Sequence, residues 1–480
     1  MSWGAAEAAR AQMGLSLAFH MVFAAVGVAM PALMVAAELR WRRTGEREWL
    51  DLARAWAQGT AVLFAVGAVS GTVLAFELWL LFPGLMSRFG AVLGPAFALE
   101  GVAFFSEAIC LGLYLYGRER LGSRLHLATG VGVAVSGLAS AALVTCANAW
   151  MQTPAAFALG EGGAVVAESS LAVFLSPYAP HLLVHSILAV YVATGCAVAA
   201  VHAVGLLRQP GRSFHRRAMG LALWMVVPAS LLQPLVGHWA GQRVARLQPL
   251  KLAAMEGQFE TEAWAPLRLG GFPDHEARQT RWALELPGGL SFLAHDDPRA
   301  VVVGMEEFPP ADWPSPVVHY AFQVMVAAGT YLALLSGLAL GARLRRGEWP
   351  CSPRWLKAFV VAGPLGFVAL ETGWVVAEVG RQPWVVYGLQ RTADTVTPVP
   401  GIGLTCALFA LLYVGLGAAT WTILRGLFAP TLAPTPAPAS GGSGPPAPGP
   451  ESAPGPESAP GPAPAPDPGP GAEPDPGAAP

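Results

Sequence analysis

Charged side chains are scarce in this sequence. Asp, Glu, Lys and Arg make up 12% of its 480 residues, whereas soluble domains carry about 25%. Hydrophobic residues make up 54%, and the mean hydropathy is +0.47. This composition excludes an ordinary soluble protein and indicates an integral membrane protein. The formal net charge of −2 points to no particular partner, and we expect no nucleic acid among the partners.

Cysteine is sparse as well. The five cysteines lie far apart and none forms a CxxC pair, which argues against a cluster or a haem held by thiolates. We interpret them as small core residues.

The N-terminal segment also lacks the basic leader of a signal peptide, because Arg10 is the only positive side chain before the first apolar run. That run is therefore predicted to stay as the first membrane helix.

Long apolar runs are what the sequence has instead. A helix needs about 20 apolar residues to cross the hydrocarbon core of a bilayer, and about nine runs reach that length. The predicted fold is an all-α integral membrane protein with about nine transmembrane helices. The spans are centred on residues 13–38, 57–80, 93–116, 125–148, 180–205, 217–237, 316–342, 354–378 and 400–424.

Basic residues cluster in alternate loops. The clusters Arg40–Arg43, Arg118–Arg124, Arg208–Arg217 and Arg343–Arg346 follow odd-numbered spans, and the loops between them are poorer in Lys and Arg or mixed. The positive-inside rule places the basic loops in the cytoplasm. The N-terminus is then predicted outside and the C-terminus inside, as an odd number of spans allows.

Two segments depart from the apolar pattern. Residues 238–315 form a polar insert, predicted on the outer side, whose aromatic content favours an ordered structure. Residues 429–480 are Pro, Ala, Gly and Ser with a few acids, and we predict a disordered cytoplasmic tail. Residues 1–428 then form the transmembrane domain.

A glutamate closes the eighth predicted span. Glu378 stands within the string Gly373–Trp384, and Glu371 lies seven residues earlier, which puts both on one helix face. An ionised side chain near the middle of a bilayer costs about 2.5 kcal/mol or more unless it has a partner. A membrane helix that keeps such a group usually uses it.

Several histidines lie in or near predicted spans. A histidine buried in a membrane is either a hydrogen-bonded structural residue or a ligand, and sequence alone leaves both interpretations open for each of them. They are His20, His181, His185, His202 and His319.

One pair of side chains at matched depth suggests a haem site. His185 and Met325 both lie near the outer ends of their predicted spans, and an imidazole facing a thioether is a workable axial pair for haem iron. Methionine also packs anywhere in a core, so the alternative stays open for Met325. His20 and Glu378 lie toward the same side of the membrane, as further candidate ligands.

The third predicted span carries two acids on one face. Glu100 and Glu107 are seven residues apart, about 10 Å along the helix axis, and Glu107 is predicted to lie deeper. Ser140 of the fourth span should lie at about their level. Two acids and a hydroxyl that step through the membrane suggest a proton path; the alternative is a pair of protonated structural acids.

The polar insert contains a second candidate pair. Lys251 and Glu256, in the string Lys251–Gly257, are five residues apart and could hydrogen-bond and deprotonate a quinol at the membrane edge. The alternative interpretation is a solvated ion pair.

These strings together closely resemble subunit I of the cytochrome bd quinol oxidases. The similarity runs from about Arg10 to residue 424 and leaves the tail outside. Its parts follow one another in the order known from that family. They are Arg10 followed by His20, the Glu100–Glu107 segment, Ala147–Pro154, His185, Lys251–Gly257, Met325 and Gly373–Trp384.

The resemblance implies bound haem at defined positions. His185 and Met325 match the axial ligands of the low-spin haem b558. His20 and Glu378 match the ligands of the high-spin haem b595 and the oxygen-binding haem d, and Arg381 matches a basic residue near the haem groups.

The resemblance also implies a proton path, a quinol site and a partner. Glu100, Glu107 and Ser140 match the proton path, and Lys251 and Glu256 match the quinol site in the insert that the family calls the Q-loop. The family works in the bacterial cell (inner) membrane as a heterodimer with subunit II, in some cases with a small single-helix accessory subunit.

Three departures from the best-known members bear on the cofactors. The insert is short, and Ser70–Leu78 resembles the cyanide-insensitive branch. Gln323 stands where long-loop members often have an arginine beside the b558 ligand, so we expect a different haem potential. Members of this branch do not all contain haem d, so the haem at the oxygen site is either haem d or a third haem b.

The activity that the resemblance implies is quinol oxidation on the outer side and reduction of dioxygen to water. The protons would come from the inside through Glu107 and Glu100, which separates charge across the membrane without a pump. One rival is a quinone-reactive cytochrome b without oxygen reduction, which would typically hold haem by paired histidines. The other is a proton-coupled transporter, a class that tends to show internal repeats.

Overall fold

The structure, a computed structural model, describes residues 4–160, 165–169 and 171–432. Across that part of the chain, nine helices are long and apolar enough to cross a membrane, which confirms the all-α membrane fold predicted from the apolar runs. Most of the predicted tail, residues 433–480, lies outside the described residues. The nine long helices are α1 (Ala5–Thr44), α2 (Arg47–Leu81), α3 (Pro83–Tyr116), α4 (Ser123–Gln152), α5 (Ala179–Arg208), α6 (Ser213–Leu247), α9 (Val317–Arg346), α10 (Pro353–Val379) and α11 (Ile402–Leu432).

Local sequence explains several helix ends. Helices α3 and α10 begin with Pro83 and Pro353, because the fixed backbone angle of proline suits the first helical position and its missing N–H costs nothing there. Helices α1 and α9 are followed directly by Gly45 and Gly347, whose φ angles are +71° and +77°. Glycine adopts this left-handed conformation without strain, so both helices stop where the sequence allows the chain to turn.

The long helices pack as two connected groups. Helix α5 packs against α6 and α10, and α9 packs against the same two helices. Helix α1 packs against α2, α4, α5 and α11, and α3 packs against α4. Small residues allow the closest approach, since a Cβ atom added at Gly366 of α10 would lie 2.8 Å from Ala193 Cα of α5. Helix α10 is therefore held tightly against the helix that carries His185.

The polar insert begins later than predicted. Helix α6 continues to Leu247, past the predicted end of the sixth span at residue 237. Its last turns are polar, so a prediction from apolar runs does not include them. The insert itself contains two short α-helices, α7 (Pro249–Glu256) and α8 (Gly289–His295). It also contains six short strands: β3 (Glu262–Ala263), β4 (Leu267–Leu269), β5 (Phe272–Asp274), β6 (Gln279–Arg281), β7 (Leu284–Leu286) and β8 (Val301–Val302). The strands form three antiparallel pairs, β3 with β8, β4 with β7 and β5 with β6.

The insert shares an apolar core with the membrane helices. Leu250, Leu252 and Met255 of α7 are buried with Leu290 of α8 and Met305. The same cluster includes residues of α4, α5, α9 and α10. Helix α7 is therefore packed into the ends of the membrane helices and does not project from them.

Two further strand pairs lie in the loops between membrane helices. Strand β1 (Phe157–Leu159) pairs with β2 (Val165–Ala167), and β9 (Trp384–Val386) pairs with β10 (Gln390–Arg391). Strand β9 follows the end of α10 directly, which places it beside the loop residues that flank Glu378.

Candidate functional site

The acid at the end of α10 has two polar neighbours. Arg381 donates from Nη2 to Glu378 Oε2 at 2.6 Å, and Asn148, in the last turns of α4, donates from Nδ2 to the other carboxylate oxygen. Arg381 is 4% exposed and the Glu378 side chain 20%. A hydrogen bond between arginine and a carboxylate is of the strong, charge-assisted kind, so Glu378 is firmly positioned in a mostly buried site.

Lys251 of the insert reaches this same region. Its Nζ donates to Gln152 Oε1, at the end of α4, and to the carbonyl oxygen of Ala377 at 3.2 Å. Gln152 also donates to the Ala377 carbonyl, at 3.1 Å. Because Ala377 directly precedes Glu378, the insert, α4 and the end of α10 meet at one polar junction.

Burial shifts the proton affinities of both candidate quinol residues. Lys251 is 2% exposed and Glu256 is 3% exposed. Burial lowers the pKa of the Lys251 ammonium and Arg381 lowers it further, while Glu378 acts in the opposite direction. Burial raises the pKa of Glu256 to about 8, against an opposing effect of Arg268. Both groups are thus displaced toward their neutral forms.

The solvated ion pair considered for these two residues does not occur. Both side chains are buried, and Lys251 bonds to Gln152 and Ala377. Glu256 Oε2 is a buried atom with no hydrogen-bond partner among the described residues. His319 fixes the neighbouring backbone, since its Nδ1 lies 2.8 Å from the Met255 carbonyl oxygen.

His185 lies on α5 beside α6. Gln233 of α6 places its Nε2 3.3 Å from Nε2 of His185 and donates to the His185 carbonyl oxygen at 3.2 Å. A Cβ atom added at Gly237 would lie 3.7 Å from His185 Cε1. The imidazole is therefore flanked on the α6 side by an amide and by a residue without a side chain.

Met325 lies on α9 beside α10. A Cβ atom added at Gly373 would lie 2.9 Å from its sulfur, so the thioether occupies space that any larger residue at position 373 would need. His185 is six residues into α5 and Met325 eight residues into α9. Because α5 and α9 share α6 and α10 as neighbours, both side chains belong to one four-helix group and lie at similar depth.

His20 occupies the other helix group. Its Nδ1 lies 3.0 Å from Ser70 Oγ of α2, and a Cβ atom added at Gly71 would lie 2.9 Å from its Cε1. The Ser70 hydroxyl also donates within its own helix, to the Val66 carbonyl oxygen at 2.9 Å. The ring is thus packed directly on the backbone of α2.

The acids of α3, whose spacing predicts a shared helix face, both contact α4. Ser140 donates to Glu100 Oε1 at 2.9 Å. Glu107 is 5% exposed, and a Cβ atom added at Gly137 of α4 would lie 3.1 Å from its Oε1. The two carboxyl groups therefore lie along a single α3–α4 seam.

The other membrane histidines have mixed surroundings. His202 Nδ1 lies 2.9 Å from His215 Nδ1, and Trp56 donates to its Nε2 at 3.4 Å, which favours the structural interpretation. His181 is buried beside Tyr178, with ring centroids 4.3 Å apart. Neither of its ring nitrogens has a hydrogen-bond partner within the part of the chain that the structure describes.

Several amide side chains, to which the sequence alone assigned no role, also belong to the site. Asn148 and Gln152 hold Glu378 and Lys251, and Gln248 donates to the Gln152 carbonyl oxygen at 2.6 Å. Gln323 braces the insert by donating to the Arg268 carbonyl oxygen at 2.9 Å. The sequence feature that could have identified them is the spacing of Asn148 and Gln152, two amides four residues apart at the end of an apolar span.

The fold and the site define a class of protein. A bundle of long apolar helices carries imidazole, thioether and carboxylate groups between its helices, and a polar insert is packed over one end. Imidazole and thioether are donor groups that hold haem iron, so the chain has the features of a multi-pass membrane protein of the haem-containing type.

The chain belongs to the cytochrome bd terminal oxidase subunit I family. The sequence profile of that family matches residues 8–431, which confirms the resemblance found in the motifs. The two rival classes, a cytochrome b without oxygen reduction and a transporter, are not supported by this match.

Individual relatives agree with the family. The chain is 36% identical over 423 residues to the putative cytochrome bd menaquinol oxidase subunit I of Bacillus subtilis (strain 168), covering 87% of this chain and 95% of that protein. It is 26% identical to the cytochrome bd-II ubiquinol oxidase subunit 1 of Escherichia coli (strain K12), covering 81% and 89%. The bd oxidase structure from Geobacillus thermodenitrificans superposes with a TM-score of 0.84 at 34% identity, covering 89% of this chain and 98% of that one.

Proposed function

We propose that this chain is the catalytic subunit of a quinol:dioxygen oxidoreductase, with Lys251 and Glu256 at the quinol site and Glu107, Glu100 and Ser140 on a proton path. The observation that carries the proposal is the junction at Ala377. There Lys251, from the insert, and Glu378, from the membrane, are joined through Gln152 and one carbonyl group. The proposed quinol site and the candidate haem ligand Glu378 are thus adjacent.

The residues present suit haem. Arg381 is buried, and its Nε and Nη1 have no hydrogen-bond partner within the described ranges. Such donors suit a carboxylate of the kind that haem propionates carry. His20, His185, Met325 and Glu378 supply two imidazoles, a thioether and a carboxylate, of which histidine and methionine are common axial ligands of haem iron.

The assignment of individual haems follows the family pattern. His185 and Met325 would hold haem b558, and His20 and Glu378 would hold haem b595 and either haem d or a third haem b. Bound haem iron supplies the one-electron steps and the chemistry of dioxygen. The protein contributes the ligands, the buried cation at Arg381 and the exclusion of water.

The quinol residues are suited to accept protons. Their pKa values are shifted toward each other, because burial lowers that of Lys251 and raises that of Glu256 to about 8. A group titrating near the working pH is an efficient proton acceptor. Oxidation of a quinol to a quinone releases its hydroxyl protons, and these two side chains would take them on the way to the outer side.

Partners and membrane placement follow the same proposal. We expect subunit II as the obligate partner and propose a small single-helix accessory subunit as the third component of the complex. The N-terminus would lie outside and the C-terminus inside, as the basic loops predict. Quinol protons would then leave on the outer side, and oxygen reduction would draw protons from the inner side.

A spectrum of the purified complex, followed by oxygen uptake, tests the proposal. Reduction should reveal a low-spin b-type signal together with high-spin haem, and either menaquinol or ubiquinol analogues should drive oxygen consumption. Reduction of haem by quinol without oxygen consumption would instead indicate a quinone-reactive cytochrome b. A preparation without haem would refute the proposal.

A further inference from the structure

A buried ionic cluster joins the predicted inner ends of α1, α3 and α4. Glu38 of α1 is 0% exposed. Its Oε1 lies 2.7 Å from Arg42 Nη2 and 3.0 Å from His126 Nδ1, and its Oε2 lies 3.6 Å from Arg118 Nη2. Tyr114 completes the group, with its ring centroid 4.5 Å from that of His126. We call Glu38, Tyr114 and His126, with Arg42 and Arg118, the inner cluster.

The inner cluster lies in line with the acids of α3. Tyr114 follows Glu107 by seven residues, and Glu107 follows Glu100 by the same interval. Residues seven apart share a helix face and are separated by about 10 Å along the axis. The face that carries the two acids therefore continues, two turns further inward, to the Tyr114 hydroxyl.

Glycines of α4 pack against this face of α3. A Cβ atom added at Gly137 would lie 3.1 Å from Glu107 Oε1, and one added at Gly130 would lie 2.8 Å from Tyr114 Cε2. His126, one turn beyond Gly130, then enters the inner cluster, and its Nε2 lies 3.0 Å from the Tyr114 carbonyl oxygen. The same α3–α4 seam thus runs from the acids to the cluster.

Helix α1 closes the seam from a third side. A Cβ atom added at Gly27 would lie 3.7 Å from Glu107 Oε1. Glu38 follows Gly27 by eleven residues, about three turns, so both lie on the α1 face that meets α3 and α4. The acid of the cluster and the glycine beside Glu107 are therefore at two levels of one three-helix seam.

The cluster lies just below the surface. A depression on the predicted inner face is lined by Trp41, Arg42, Gly45, Ser123 and Arg124. Arg42 connects this depression to the inner cluster, because it donates both to Glu38 Oε1 and to the Ser123 carbonyl oxygen. Its side chain is 18% exposed, whereas that of Glu38 is fully buried.

The Tyr114 hydroxyl sets this cluster apart from a simple ionic brace. It interacts with the Glu38 carboxyl through a side-chain hydrogen bond as well as by charge, although neither the hydroxyl nor Glu38 Oε2 has a partner of good geometry among the residues the structure describes. The hydroxyl therefore belongs both to the inner cluster and to the α3 face that carries Glu107.

We propose that the inner cluster is the proton inlet of the subunit: Glu38 and His126 take up protons at the inner surface, and Tyr114 passes them toward Glu107. Each transfer moves one proton from a donor oxygen or nitrogen to the next acceptor and returns the group to its starting state. The protons are consumed when dioxygen is reduced to water. This inference rests on the proposed role of Glu107 and extends it to the surface.

The test uses the complete oxidase complex in proteoliposomes, with the variants Glu38→Gln, Tyr114→Phe and His126→Gln. Haem content and the rate of haem reduction by quinol without oxygen should be unchanged, because neither needs proton uptake. Oxygen turnover per haem and proton uptake from the inner side should both fall about a hundredfold, the lower end of the range for loss of a positioned proton-transfer group. Glu38→Asp should restore part of the rate.

Glu48→Gln is the matched control. Glu48 pairs with Arg217 at 3.1 Å on the same side of the protein but outside the seam, so its removal should leave turnover and proton uptake unchanged. If Glu38→Gln fails to assemble, Tyr114→Phe decides, since it deletes one oxygen atom from an otherwise identical ring.

The outcomes separate this inference from the proposed function. Slow turnover in Glu107→Gln combined with control-like turnover in the Glu38 and Tyr114 variants would overturn the inlet and leave the oxidase assignment intact. Loss of thermal stability without loss of turnover per haem would also overturn it, in favour of an ionic brace. Normal turnover in Glu107→Gln would refute the proton path itself.

Discussion

Lys251 and Glu256 carry opposite formal charges on one short helix, yet their surroundings move both toward neutrality. Neither is paired with the other. Lys251 is bonded to an amide and a carbonyl group, and Glu256 is buried within the insert. Burial is the largest cause of the pKa shift of each residue. A site built in this way can exchange protons near neutral pH, which an exposed Lys–Glu pair could not do.

The pH dependence of quinol oxidation should depend on Glu256. Its pKa of about 8 means that the ionised, proton-accepting form becomes populated as the pH rises through that value. We expect kcat/KM for quinol to increase with pH through about 8, and Glu256→Gln to lower the rate and abolish this increase. Oxygen reduction driven by an artificial electron donor should be spared in Glu256→Gln and in Lys251→Ala.

The exposed neighbour Glu260 supplies the control for that experiment. Glu260→Gln changes an acid on the same segment that is open to solvent, so its pH profile should match that of the unaltered protein. Equal loss of quinol oxidation and of oxygen reduction with the artificial electron donor, in the Glu256 and Lys251 variants, would show that these residues stabilise the fold and do not form the quinol site.

The low-spin haem should depend on His185 and Met325. We expect His185→Ala or Met325→Ala to remove the low-spin b-type signal, because each deletes one candidate axial ligand, while the remaining helices stay folded. A reduced-minus-oxidised spectrum checks this. His202→Gln, on the same helix but paired with His215, should keep the signal. An unchanged low-spin spectrum in both ligand variants would contradict the assignment.

Among the helices, the contact of α5 with α10 determines how rigidly the site is held. Helix α5 carries His185 and α10 carries Glu378, and the two approach closely at glycines. Added Cβ atoms would lie 2.6 Å from Ala200 Cβ at Gly363 and 2.8 Å from Ala193 Cα at Gly366. At Gly366 the obstacle is backbone, which cannot move away as a flexible side chain would.

Gly366→Ala should therefore push α5 and α10 apart. We expect a loss of about 1–3 kcal/mol in stability, typical of overpacking, measured as a lower thermal transition of the purified complex together with weaker haem retention. Gly329→Ala on α9 is the control, because a Cβ atom there would meet nothing within 4 Å and alanine favours helix over glycine. Equal stability of the two variants would show that the close contact is tolerated.

At the scale of the whole molecule, function depends on separation across the membrane. The insert packs over one end of the bundle, and the Glu100–Glu107 seam runs away from that end toward the inner cluster. If quinol loses its protons at the insert and dioxygen gains its protons through the seam, charge is separated without a pump. The geometry of this chain thus suits an electrogenic oxidase.

Glu107 is the residue at which this vectorial mechanism can be interrupted. Glu107→Gln should slow oxygen reduction, because an amide cannot pass a proton on, whereas Glu107→Asp should retain part of the rate. Rates are normalised to bound haem, and the membrane potential is followed in proteoliposomes. Normal turnover and a normal potential in Glu107→Gln would show that protons enter elsewhere and that the helix acids are structural.

Sequence alone predicted much of this arrangement. Apolar runs predicted the nine long helices found in the described part of the chain, and the spacing of Glu100 and Glu107 predicted that the two acids share one helix face. The helix ends were less accurate, since α6 runs ten residues past residue 237 to Leu247. Hydropathy detects only the part of a helix that lies in the bilayer, and the outer turns of α6 are polar.

The pairing of polar groups required the tertiary structure. Asn148 meets Glu378 across 230 positions of the chain, and Lys251 meets Gln152 across 99. A membrane helix is apolar on the side that faces lipid and on the side that faces its neighbours, so its pattern does not say which face turns inward. The sequence by itself determined the membrane helices and the chemical groups they carry; only their packing decided which of those groups meet.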